Sequence, residues 1–118
     1  MYSARSDSGE RRDLFPGALE MMILHILRRE ALHGYAIGSR IREASDDLLQ
    51  VEEGSLYPAL QRLLKANWVE AEWGVSPQNR RVRIYKITPS GKKQLQRQVS
   101  DFQRMMEGFT RVMGGSQS

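Results

Sequence analysis

The chain has 118 residues, 40% hydrophobic and 27% charged, the mix of one small soluble domain. Its longest stretch free of Asp, Glu, Lys and Arg is Ala31 to Ser39, far short of the roughly 18 apolar residues of a membrane span, and no signal-peptide core is visible at the N-terminus. The absence of cysteine excludes disulfides and thiolate metal sites and fits a reducing cytoplasm, the expected location, while a net charge of +4 only hints at an anionic partner.

Charge is unevenly distributed. Five acids and no base lie between Glu43 and Glu53, whereas six bases and no acid lie between Asn79 and Lys93. Such a basic run is either a solvated face or a surface for a polyanion, and the elements around it decide.

Residues 1–13 are polar and without period, as in a flexible arm. Leu19, Met22, Ile23, Ile26 and Leu27 follow the spacing of a buried helix face and predict a first helix over 17–29. A second helix is expected over 34–45, carrying Tyr35, Ile37 and Ile41 and ended by Ser45-Asp46-Asp47. The third should start at Ser55 as N-cap and run to Asn67. Its residues Leu56, Ala59, Leu60, Leu63 and Leu64 share one side; Tyr57, Pro58, Gln61, Arg62 and Lys65 share the other, without an acid. Pro58 is placed in the first turn, where a missing N–H costs nothing.

Val69, Ala71 and Trp73 alternate with Glu70 and Glu72, a half-buried strand. Turn residues Gly74, Ser76, Pro77 and Asn79 lead to a returning strand over 81–88. Arg81, Arg83, Tyr85 and Ile87 share a nominal face there, so alternation alone leaves the buried side open. A last helix, with Pro89 at its first position, is expected over 89–113. Leu95, Val99, Phe102, Met106, Phe109 and Met113 step by alternating fours and threes, a coiled-coil seam. This seam either pairs with a second chain or folds back on the first helix. Residues 114–118 read as a frayed tail.

The expected fold is mainly α with a small β-hairpin. Three helices before a hairpin, then a long dimerisation helix, give a winged helix-turn-helix over 14–88 with a C-terminal helix over 89–113. In such modules the helix before the hairpin enters the major groove of DNA. Gln61 and Arg62 have the groups to read base edges, and Lys65 reaches a phosphate. Tyr35 and Ser55, at helix starts, have hydroxyls for the backbone. Asn79, Arg80, Arg81 and Arg83 on the wing suit phosphates or a minor groove, and Lys86 on its stem a phosphate. Tyr57 is either a base contact or a packing residue.

The stretches Leu32-His-Gly-Tyr-Ala-Ile, Val51-Glu-Glu-Gly-Ser-Leu-Tyr-Pro-Ala-Leu-Gln-Arg-Leu, Glu70-Ala-Glu-Trp73 and Asn79-Arg-Arg-Val-Arg-Ile-Tyr-Lys-Ile-Thr-Pro-Ser-Gly91 resemble the PadR family of bacterial transcriptional regulators, from about Leu14 to Leu95. The resemblance implies a homodimeric repressor on an inverted-repeat operator, with Tyr35, Ser55, Tyr57, Pro58, Arg62 and Arg80 to Arg83 as DNA contacts. It also implies dimerisation by one terminal helix and, often, release from DNA when a small, frequently aromatic molecule binds, in some short members in a pocket lined by aromatic residues of that helix. Phe102 and Phe109 fit the seam equally well as packing residues, and Trp68 and Trp73 read as core or hairpin anchors.

His25 and His33 have no spaced partner, and no nucleophile or phosphate-loop motif is present; no catalytic residue, metal site or cofactor is therefore expected. The rival to DNA binding is a winged helix used for protein interaction or RNA binding, since fold does not fix function.

Overall fold

The computed structural model describes residues 17–115; the expected N-terminal arm and the tail residues 116–118 lie outside them. Helix α1 spans Ala18–Leu27. It starts at Gly17, whose φ of 84° is one that residues with a Cβ rarely adopt. It stops short of the expected 29 because the Arg28 N–H turns back to the His25 carbonyl and closes the last turn.

A two-residue strand, β1 (Leu32–His33), precedes α2 (Gly34–Ala44). Next come α3 (Glu53–Lys65), β2 (Val69–Val75), β3 (Arg81–Ile87) and α4 (Pro89–Thr110), and the chain winds wider over Arg111–Gly115. The sheet order is β1-β3-β2, all antiparallel. Strand β1 carries no readable period, yet it pairs Leu32 with Tyr85 and His33 with Ile84. That pairing brings the start of α2 to the base of the hairpin.

Helix α3 corrects the expected start. Its N-cap is Glu52, whose carbonyl accepts from both Ser55 and Leu56. Ser55 therefore sits inside the first turn rather than capping it. Pro58 falls in the second turn and removes the donor that the Gly54 carbonyl needs, a loss that water can offset because Gly54 is exposed. The sorting of the helix's faces matches expectation. Leu56, Ala59, Leu60 and Leu63 are buried with Ile23, Leu24 and Leu27 of α1 and Ile37 and Ile41 of α2.

The start of α4 is locked onto the α3–β2 junction. Thr88 Oγ1 donates to the Asn67 carbonyl at 2.8 Å and accepts from the Gly91 N–H at 3.0 Å. Ser90 Oγ donates to the same carbonyl. Pro89 follows the cap as expected. A Cβ on Gly91 would lie 2.1 Å from the Trp68 carbonyl oxygen, so only glycine lets the helix approach this closely. From there α4 packs along α1. Leu95 is buried and Val99, Phe102 and Met106 are half-buried, but Phe109 is 53% and Met113 67% exposed. At 22 residues the helix is about 33 Å long and its outer part runs beyond the body. Gly114, at φ 142°, breaks it.

Candidate nucleic-acid interface

The hairpin register settles which side of β3 is buried. Val69 pairs with Ile87, Ala71 with Tyr85, Trp73 with Arg83 and Val75 with Arg81, and directly paired residues share a face. One face therefore starts in the core at Val69, Tyr85 and Ile87 and emerges as Trp73, Arg81 and Arg83. The nominal face is continuous, and its burial changes along the strand as the hairpin leaves the core. Trp73 is 57% exposed, which removes the core alternative and leaves it as a residue of the hairpin.

The wing tip is held by Ser76, a buried polar residue whose Oγ accepts from the N–H groups of Gln78 and Arg80. Asn79 adopts φ 63° there, a conformation this residue type tolerates, so turn geometry alone accounts for it.

Opposite the wing stand two tyrosines. Tyr57 is 40% exposed. It packs over Gly34, where a Cβ would meet its Oη at 2.7 Å and its Cε1 at 2.8 Å. Packing and exposure thus coexist at Tyr57. Burial, then the Glu53 carboxylate and Tyr85, raise its pKa above the usual 10.0, so the hydroxyl stays protonated and can both donate and accept. Tyr35 is exposed at the first turn of α2 and stacks against His33, with ring centroids 6.4 Å apart.

Together Tyr35, Tyr57, Trp73, Arg80, Arg81 and Arg83 line an open groove of about 620 Å³ whose lining contains no acid. Pro58, Gln61, Arg62 and Lys65 are exposed on the outer face of α3 beside it. Ser55 is half-buried. Lys86 is not brought to the groove: it lies across from Glu70 on the opposite face of the hairpin. The α3 face is also not free of acid, because Glu20 of α1 accepts from Arg62 Nε at 2.6 Å. That pair ties the exposed face of α3 to the start of α1. Trp73, His33 and Glu20 were missed by sequence reasoning. Only the register and the packing of α1 reveal them, although the spacing of Trp73 from the turn was a usable sign.

A second surface is apolar. Met21, Met22 and Ile26 of α1, Leu49, and Val99 and Phe102 of α4 line a groove of about 440 Å³ at the middle of α4. Among the described residues no three His, Asp or Glu side chains gather as metal ligands, and no helix is long and apolar enough to cross a membrane.

A three-helix core with a hairpin wing defines a winged helix, and comparison with known proteins agrees. Residues 23–97 match the model of the transcriptional regulator PadR-like family. A transcriptional regulator from Clostridium thermocellum is 27% identical, with a TM-score of 0.77 over 84% of this chain and 96% of that one. PadR of Bacillus subtilis, solved in complex with operator DNA, is 26% identical with a TM-score of 0.62, over 70% of this chain and 46% of that one. An uncharacterised protein of Lysinibacillus sphaericus is 30% identical over 89% of this chain and 96% of its own length. The chain belongs to the PadR-like family of transcriptional regulators.

Proposed function

We propose that the protein is a cytoplasmic, homodimeric transcriptional repressor that binds an inverted-repeat operator in double-stranded DNA. The observation that carries this is the acid-free groove between the wing arginines and the two tyrosines, set beside the exposed polar face of α3. With α3 in the major groove, Gln61 and Arg62 face base edges and Lys65 a phosphate. Tyr35 and Tyr57 offer hydroxyls to the backbone, while Arg80, Arg81 and Arg83 meet the flanking phosphates or minor groove. The Bacillus subtilis relative bound to operator DNA supports the same use of the fold here.

The dimer rests on α4. Met105, Phe109, Val112 and Met113 are exposed large hydrophobics on or just past one helix end, and the neighbouring groove is apolar. A second copy that covers both would remove this surface from water. Two copies also place two reading helices on the two halves of a palindrome.

The test is binding to a duplex from the region upstream of the protein's own gene across a salt series, with sedimentation to give the oligomeric state. Counterion release makes log affinity fall with log salt by about 0.9 per phosphate contacted. Indifference to salt, or preference for single-stranded RNA, would point to the interaction-module alternative.

A further inference from the structure

We propose that Trp73 is a positioning residue for DNA binding, its exposed indole holding the Arg81 and Arg83 guanidiniums over the groove before any ligand arrives. The Cζ atoms of Arg81 and Arg83 lie 4.3 and 5.4 Å from the ring centroid, both within the roughly 6 Å at which a cation is attracted by an aromatic face. The hairpin register brings these three side chains together. Trp73 is directly opposite Arg83, and Arg81, two residues on, is its diagonal neighbour on the same face.

The placement is costly unless it serves a ligand. A large aromatic ring left 57% exposed gives up the burial that usually recruits tryptophan. Two guanidiniums gathered at one ring repel each other, and the lining of the groove they face supplies no carboxylate. The negative face of the indole offsets part of that repulsion, and an incoming phosphate backbone removes the rest. Any aromatic face attracts a cation and indole does so best, so a side chain without a ring could not take its place, whereas a phenyl ring would keep part of the attraction. Arginine loses considerable freedom when it is ordered. Two arginines ordered in the free protein therefore leave less of that cost to be met on binding.

This role rests on the proposed DNA binding, and two readouts separate the one from the other. The first needs no DNA. In the full-length protein the side-chain protons of Arg81 and Arg83 should be shifted upfield by the indole ring, and Trp73→Ala should abolish the shift; unshifted arginines in the wild type overturn the positioning role alone. The second is affinity for the upstream duplex. Trp73→Ala should weaken it about tenfold and Trp73→Phe less than about threefold. In an Arg81→Ala/Arg83→Ala background the tryptophan substitution should have no further effect. Undiminished binding by Trp73→Ala overturns the positioning role. So does a loss that persists without the arginines, which would make Trp73 itself the contact. If the wild type ignores every duplex while the shifts are present, the proposed function fails, and the positioning role with it.

Discussion

Helices α3 and α4 are both amphipathic, yet they use their apolar faces differently. Helix α3 buries Leu56, Leu60 and Leu63 within its own chain and half-buries Leu64, so its opposite face is left exposed, tied back by the pair of Arg62 with Glu20. Of the seam on α4 only Leu95 is fully buried, Val99, Phe102 and Met106 are half-buried, and Phe109, like Met113 just past the helix end, is at the surface. The difference separates two tasks. A stripe that the chain itself covers builds the fold, and one that it leaves bare is where the proposed second copy would pack.

The comparison breaks most sharply if the outer half of α4 is made charged. Phe102→Glu with Phe109→Glu should give monomers in sedimentation equilibrium and lower operator affinity by at least about a hundredfold, since each half-site is then bound singly. A variant that remains dimeric would move the interface elsewhere. Gly91→Ala tests the inner end of the same helix. Alanine improves helix propensity by about 1 kcal/mol, but its Cβ would meet a backbone carbonyl at 2.1 Å. The net effect should be a loss of about 1–3 kcal/mol, read from denaturant midpoints.

On α3, Arg62→Ala should reduce discrimination between operator and random duplex by about 1–3 kcal/mol if the residue reads a base edge. An equal loss on both duplexes would make it a phosphate contact. Arg62 is 59% exposed but Glu20 only 17%, so loss of their pair should cost about 1 kcal/mol or somewhat more.

The smallest effect is expected at His25 of α1. Burial, followed by the charges of Arg28 and Arg29, lowers its pKa below 6.5. The folded state then prefers the neutral ring, whose Nδ1 accepts from Arg28 Nε. Its contribution is present above pH 6.5 and is lost as pH falls, because the unfolded chain takes up the proton first. Denaturation midpoints measured from neutral to mildly acidic pH should fall slightly, and His25→Gln should flatten that fall.

Much of the architecture is legible in the chain because it rests on local rules. The α3 stripe, the Thr88-Pro89 start of α4 and the four-three seam each follow from spacing or capping. What escaped did so for physical reasons. A two-residue β1 has no period to read. Ser55 looks like a cap, but the Glu52 carbonyl already accepts the first helical bonds. The face of β3 cannot be judged by alternation, because its burial depends on where the hairpin leaves the core. Lys86, one of the six bases between Asn79 and Lys93, lies on the other side of the wing for the same pairing reason.

The order of residues alone determined the class of fold, the polar face of α3 and the presence of an apolar seam on the last helix, because periodicity and capping act over a few neighbouring positions. The tertiary structure decided that Tyr57 closes over Gly34, that Glu20 reaches Arg62, and that Trp73 underlies Arg81 and Arg83. Those contacts join residues far apart in the chain or on paired strands, and only strand register and helix packing bring such groups within reach of one another.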